Sequence, residues 1–253
     1  MRQADVAERL RTHPLLAGLD AATVKGVHAA GIVQTFAAGD CLIREGDPAV
    51  HYWLLLSGTL KVGYTSPDGF EVTVKVFAAP AAFAEMEVLT DQPHIENCFA
   101  IDKATMLKIP RVPFEALLDD HPRFMKNVLY DTCARFFIAA QNERALAFLP
   151  VSQRLANLLL VYMRIYGVSV EGGTAIRVRL SQADLAADLG VAKKSITRTL
   201  AGWGDDGILE RRGTTLVIKD PAALEERSAH DVIGVDWIAG RRVDEGKGSR
   251  RRV

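Results

Sequence analysis

Three cysteines in 253 residues, Cys41, Cys98 and Cys133, are too few, too scattered and odd in number for a disulfide framework or for a paired zinc or iron–sulfur motif. They read as plain thiols. The six histidines, His13, His28, His51, His94, His121 and His230, each stand alone, whereas a metal-using barrel enzyme needs two imidazoles close together with a carboxylate nearby. That lack argues against an enzyme and offers no metal site. Neither sign of charge is in excess, since 31 Lys and Arg balance 31 Asp and Glu. No apolar run reaches the length of a membrane span, and the opening MRQADVAERLRTHP has no stretch resembling a signal peptide, so the expectation is a cytoplasmic protein with no membrane partner.

What is present is a 49% apolar composition, ample for one large domain or two modest ones. The zero net charge hides an uneven distribution. From Leu180 to Gly202, LSQADLAADLGVAKKSITRTLAG reads as two short helices broken at Gly190, with Leu185, Ala186, Leu189, Val191, Ile196 and Leu200 spaced to close on one another. This is a helix-turn-helix pattern. Ser181 is placed to cap the first helix, with Gln182 beside it. The second helix presents Lys193, Lys194, Ser195, Thr197 and Arg198 on its first turns with no acid among them. Cations and hydroxyls at the N-terminal half of a helix suit the DNA major groove, where long donors reach base edges and hydroxyls hold phosphates. The same pattern also fits an ordinary helical hairpin with solvated lysines.

The segment that follows favours DNA. Asp206 to Ile218 reads as a small hairpin whose turn carries Arg211 and Arg212, a wing that would sit beside a phosphate backbone. Upstream, Ala4–Arg11 and Ala21–Ala30 read as short helices separated at His13-Pro14. From Gly31 to about Pro110 short strands punctuated by Gly, Pro and Asp give a barrel or sandwich rhythm: Ile32–Phe36, Cys41–Arg44, His51–Leu56, Thr59–Tyr64 and the alternating Glu71–Val76. Ser57-Gly58 and Pro67-Asp68-Gly69 supply turns.

Phe114 to Ala147 is the long helical stretch, its main segment starting at Pro122. Met125, Val128, Leu129, Thr132, Phe136, Ala139, Glu143 and Leu146 form its apolar stripe. A stripe of about seven turns calls for a partner, and a parallel two-fold homodimer along it would set two reading heads one DNA turn apart, on an inverted repeat. A helix from Val151 to about Tyr166 follows Pro150, then a turn and a strand over Glu171–Leu180. The tail beyond Glu226, ending GRRVDEGKGSRRRV, reads as mostly disordered.

Gly39-Asp40, Glu45-Gly46-Asp47, Tyr52-Trp53-Leu54 and Ser57-Gly58-Thr59-Leu60-Lys61-Val62 resemble the cyclic-nucleotide-binding barrel of the Crp/Fnr regulators. Leu146-Ala147-Phe148-Leu149 with Val151, Arg154 and Leu155 resembles that family's junction into its DNA-binding domain. The resemblance covers about Gly31 to Lys219. It implies an α+β fold: a jelly-roll-like N-terminal sensor barrel with preceding helices (1–110), a dimerisation helix and hinge (111–149), a winged helix-turn-helix domain (150–227) and a tail (228–253). It implies a DNA-binding transcription regulator, with RNA polymerase as a candidate partner and a small-molecule effector of unknown identity.

The effector position departs from the family. Nucleotide-binding relatives open a short helix with Gly-Glu and supply an Arg-Ser or Arg-Thr pair about ten residues on. This chain resembles them with Ala84, Glu85 and Met86 at the first position and His94-Ile95 at the second, and Ala139-Ala140 stand where those relatives carry Thr-Ser. A phosphate wants a bidentate guanidinium and a hydroxyl, which neither histidine nor isoleucine supplies. The expectation is an effector other than cAMP or cGMP, although Arg135 keeps a position that contacts ligand in some relatives. Haem, with His94 on a surface strand or Cys98 as ligand in a pocket made apolar by Ile95, Ala139 and Ala140, a metabolite or peptide, and ligand-independent activity stay open. The cofactor is therefore unknown. In the reading helix Lys194 replaces a glutamate common in relatives, Lys193 an arginine, and Arg198 remains, so the DNA site should differ from the familiar half-site.

Overall fold

A computed structural model describes residues 3–65, 71–178, 181–213 and 215–228. The turn expected at Pro67-Asp68-Gly69 and the tail beyond residue 228 lie outside them. The described residues form two compact units. One holds the chain up to Leu129 together with Val178–Arg198, the other Tyr130–Arg177 with the described residues from Thr199 onward.

In the first unit, helices α1 (Gln3–Arg11) and α2 (Ala21–Ala29) flank a 3-10 turn, Pro14–Leu16. Asp20 caps α2 by accepting the Thr23 N–H at 2.7 Å, which holds its carboxyl below the usual range. Eight strands follow: β1 (Ile32–Phe36), β2 (Cys41–Ile43), β3 (His51–Ser57), β4 (Thr59–Thr65), β5 (Glu71–Ala78), β6 (Ala81–Phe83), β7 (Asn97–Ala100) and β8 (Ala104–Pro110). They build two antiparallel four-stranded sheets, ordered β1-β8-β3-β6 and β2-β7-β4-β5. Helix α3 (Glu85–Thr90) leaves β6, and α4 (Arg111–Asp120) leaves β8. Arg111 braces the two helices, pairing with Glu115 at 2.9 Å and with Asp91 at the end of α3.

Strand β3 explains the layering. Its alternation sends Tyr52, Leu54 and Leu56 into one core with Leu10, Leu16, Phe114 and Phe124, and Trp53 and Leu55 into the barrel interior with Leu60, Phe83 and Met106. Strand β8 divides in the same way, Leu107 and Ile109 against Ala104 and Met106. The first sheet is thus covered on both faces. Between β3 and β4 the turn needs Gly58, which has φ 95° and whose Cβ would lie 2.6 Å from the Ala104 Cα.

The expected long helical stretch is broken at His121, and α5 starts at Pro122 as anticipated and runs to Phe148. Pro122 has no N–H to continue α4, but its fixed φ suits the first turn of a new helix. Of the expected stripe, Val128 is buried, whereas Met125, Leu129, Phe136 and Leu146 are exposed. Among the described residues no helix is long and apolar enough to cross a membrane.

The second unit is built on α6 (Val151–Tyr166), whose Leu155, Ala156, Leu159, Leu160, Tyr162 and Tyr166 recur at helical spacing and are buried. A four-stranded antiparallel sheet, ordered β11-β12-β10-β9, comprises β9 (Gly167–Val170), β10 (Gly173–Ile176), β11 (Leu209–Arg212) and β12 (Thr215–Ile218). The turn and strand expected over Glu171–Leu180 are there as β10, but β9 was not anticipated. Its signal is the valine alternation of GVSV before Gly172-Gly173. The last described helix, α9 (Pro221–Glu226), was also missed, although Asp220 followed by proline is a start signal and Asp220 does cap it. Helices α7 (Gln182–Asp188) and α8 (Lys193–Asp205) complete the described chain.

Two predictions come from this packing. His13 is buried, receives the Leu15 N–H at Nδ1 and reaches the Ala81 carbonyl through Nε2, both at 3.3 Å, so its single proton sits on Nε2. Burial lowers its pKa from 6.5 to about 4, the Ala81 bond opposing only in part. The unfolded chain therefore takes up the proton first as pH falls. This contribution is complete above pH ~6.5 and is lost between there and ~4, amounting to about 3 kcal/mol. Urea midpoints at pH 7.5 and 5 should drop accordingly, and His13→Gln should flatten the drop. His51 and His94, whose pKa values burial also lowers, leave a smaller residual slope.

Ala84 precedes α3 at φ 72°, ψ 10°, a left-handed conformation that costs a residue with a Cβ about 1–2 kcal/mol. Ala84→Gly releases that strain but loses a buried methyl, about 0.8 kcal/mol, and adds freedom to the unfolded chain, about 0.4–1 kcal/mol. It should be nearly neutral in thermal unfolding, whereas Ala7→Gly on the exposed face of α1 should cost about 1 kcal/mol.

Candidate functional site

The helix pair is held together locally. The Ser181 hydroxyl accepts the Asp184 N–H at 3.0 Å while the Asp184 carboxylate accepts the Ser181 N–H at 2.9 Å, a complete capping box. At the other end of α7, Gly190 takes φ 61°, donates to Ala187 O, and lets Val191 N–H donate back to Ala186 O at 2.9 Å. This Schellman closure reverses the chain in four residues and needs glycine at the left-handed position.

Helix α8 then buries Ile196, Leu200 and Trp203 and turns Lys193, Lys194, Thr197 and Arg198 to solvent, with Ser195 half-buried. Among the described residues Lys193, Lys194 and Arg198 have no carboxylate partner, so their charges are available to an external anion. Thr197 is committed differently: its hydroxyl lies 2.7 Å from Gln182 Oε1 and 3.0 Å from Lys193 O. The Gln182–Thr197 bond joins the two helices directly.

The expected wing is the β11–β12 hairpin, paired in register from Leu209↔Ile218 to Arg212↔Thr215. Neighbouring strand residues point to opposite faces, so Arg211 and Arg212 cannot serve one surface together. Arg212 is bound by the protein, to the Glu210 carboxylate and to the Glu171 carbonyl at 3.1 Å, and Lys219 joins Glu210 at 3.7 Å. Arg211 curls onto its own turn, donating to Gly213 O at 3.2 Å. Glu210 is a local partner two residues away, but nothing in the local sequence announced the second hold on Arg212, because Glu171 lies 41 positions away.

At the expected effector position, Ala84 supplies a left-handed turn and Glu85 is the buried first residue of α3, while Met86 is half exposed. His94 departs from expectation. It is buried in the loop between α3 and β7, not on a surface strand, and its backbone is tied to the β2–β3 loop through Asp47 O at 2.9 Å and Gly46 N–H at 2.8 Å. Burial lowers its pKa, Asp47 pulls it back up and His51 lowers it again. A neutral imidazole gives a phosphate no charge. Ile95 is 54% exposed in the first unit, and Ala139 and Ala140 are exposed on α5 in the second. Cys98 is buried, and its thiol is pushed above its usual range by burial and then by Cys41.

From Val76 through Asp102 the sequence contains no Lys or Arg. Arg135, on α5, pairs with Asp131 at 2.9 Å, both side chains half-buried. Among the described residues no group of three or more His, Cys, Asp or Glu could hold a metal ion.

Comparison with known proteins accords with this geometry. The cyclic nucleotide-binding domain matches residues 33–121, and the Crp-like helix-turn-helix domain matches residues 153–227. The CRP-like cAMP-activated global transcriptional regulator of Mycobacterium tuberculosis is 23% identical over 193 residues, 76% of this chain and 86% of that protein. The global nitrogen regulator of Synechocystis is 24% identical over 198 residues, 78% of this chain and 88% of that one. The structure of FixK2 from Bradyrhizobium japonicum superposes with a TM-score of 0.69 at 18% identity, covering 79% of this chain and 98% of that one. With both domain types matched in this order, the chain belongs to the Crp/Fnr family of transcription regulators.

Proposed function

We propose that this chain is a homodimeric, sequence-specific DNA-binding regulator whose barrel answers to an effector other than cAMP or cGMP. It acts in the cytoplasm on an inverted repeat and is not an enzyme. The observation that carries the reading is the acid-free exposed surface of the first turns of α8, where Lys193, Lys194 and Arg198 have no carboxylate partner among the described residues. A lysine cannot accept a hydrogen bond, so Lys194 addresses guanine acceptors or phosphate, and the Arg198 fork suits a guanine edge. Ser181, Gln182 and Ser195 hold phosphates alongside, and of the two wing arginines Arg211 flanks the backbone while Arg212 stays bound to Glu210 and Glu171. RNA polymerase is the natural further partner of such a regulator.

The effector reading rests on charge. No cation lies between Val76 and Asp102, His94 is neutral, and Glu85 is buried. A cyclic phosphate would have to give up water without a charged hydrogen-bond partner in that segment, and each such loss costs about 1.5–3 kcal/mol. The dimer rests on α5. Met125, Leu129, Thr132, Phe136, Ala139, Glu143 and Leu146 are spaced alternately four and three residues apart, and Leu129 and Phe136 are 56% and 74% exposed. That spacing is the seam of a two-stranded coiled coil.

Enrichment from a random duplex pool by the purified protein should yield an inverted repeat with half-sites one helical turn apart. The yield should not change on adding cAMP or cGMP. Lys194→Ala and Arg198→Ala should each cost about 1–3 kcal/mol, Arg198→Ala relaxing the preference at one base pair. Unchanged affinity and preference in both variants would remove α8 as the reading helix. Sedimentation equilibrium should find a dimer, and Leu129→Glu with Phe136→Glu a folded monomer. A double variant that stays dimeric would place the interface elsewhere.

A further inference from the structure

One end of the barrel's inner face carries hydrogen-bond donors that the described protein leaves unused. In register across the first sheet lie Ile32 of β1, Lys108 of β8, Trp53 of β3 and Phe83 of β6. Directly opposed residues of antiparallel strands share a face, so these side chains form one row. His51, two residues before Trp53 on the same face, brings its ring centroid to 5.9 Å from that of Trp53. The row grades from closed to open: Phe83 and Trp53 are buried, Lys108 and His51 half-buried, and Ile32 is 59% exposed.

Trp53 is 94% buried by its 6% exposure, and its indole N–H has no acceptor. Such a group is costly to leave unpaired. Lys108 has no carboxylate partner among the described residues. Its charge acts on His51, whose pKa is lowered first by burial and then by Lys108. His94 is the other titratable neighbour of His51, and Asp47 acts on His94. An ammonium, an indole N–H and a neutral imidazole therefore stand together at an open barrel end, beside the Trp53 and Phe83 rings, which lie 6.4 Å apart and nearly parallel at 9°.

We propose that this barrel end binds an aromatic carboxylate. One carboxylate oxygen takes the Lys108 ammonium and the other the Trp53 N–H, while the flat body lies against Phe83. Lys108 is the charge donor and Trp53 the positioning donor. The chemistry differs from that of the cation-free Val76–Asp102 segment, and the proposal concerns the barrel alone, independent of whether α8 reads DNA.

The test uses the full-length protein with 1-naphthoate and its uncharged counterpart 1-naphthamide. In nitrogen–proton correlation spectra, Trp53→Phe identifies the Trp53 indole signal among those of the three tryptophans, Trp53, Trp203 and Trp237. Naphthoate should shift that signal saturably and bind about tenfold tighter than naphthamide. Lys108→Gln should erase the preference and Lys108→Arg keep it. Calorimetry on the two Lys108 variants gives the same discrimination should Trp53→Phe fail to fold. An indole signal that does not move, equal affinity for acid and amide, or a Lys108→Gln variant that still prefers the acid would each overturn the proposal. DNA binding measured on the same samples tells a failed barrel site from a failed regulator reading.

Discussion

The central strands of the first sheet, β3 and β8, are buried on both faces, and the arrangement of the first unit depends on that constraint. Five consecutive residues of β3, Tyr52 to Leu56, are buried, and they alternate between two cores. Each large apolar side chain taken fully from water contributes about 1.5–3 kcal/mol. A slip of one residue would exchange every side chain between the cores, setting Trp53 against the helices and Tyr52 inside the barrel, so register is fixed from both sides. Strand β6 pairs with β3 at Trp53↔Phe83, and α3 begins two residues after Phe83. The place of the effector segment is therefore set by the register of β3.

The helix pair follows a different logic. Its ends are satisfied by its own residues, through the Ser181–Asp184 box and the Gly190 closure, and the Gln182–Thr197 bond joins the two helices. None of these devices consumes a cation. The charges of Lys193, Lys194 and Arg198 thus remain for an outside anion, which reconciles a neutral chain with a nucleic-acid interface: attraction depends on the local field, and the balancing acids lie elsewhere.

Much of this was legible in the sequence because it is encoded locally. The cap at Ser181, the break at Gly190, the start at Pro122 and the limits of β1 to β5 depend on residues within one turn or hairpin of the feature, whereas β6, β7 and β8 were not marked out. Asp184, three residues after the serine whose cap it completes, carried the same local signal and was passed over. What stayed hidden is set by distant chain. The second hold on Arg212 comes from Glu171, and the backbone of buried His94 is tied to the β2–β3 loop. Strand β9 has four residues, of which Val168 is half-buried and Val170 exposed, and its pairing with β10 decides it more than its composition does.

The distribution of charge along the barrel sequence bears on what such a domain can sense. A phosphate held in a partly closed pocket needs a guanidinium or ammonium from the segment that wraps it, because hydrogen bonds from neutral groups are about half as strong as charge-assisted ones. Here that segment keeps the helix and its left-handed start, with Ala84 paying conformational strain where glycine would not, yet it carries Glu85, Glu87, Asp91 and Glu96 and no cation. Backbone architecture and ligand chemistry have therefore separated. The turn before α3 is needed wherever β6 hands over to the helix, so its geometry does not depend on a cation in the segment. Half-buried Lys108, opposite Trp53 in register, is where the described barrel sets a cation close to an unfilled donor, on the first sheet and away from that segment.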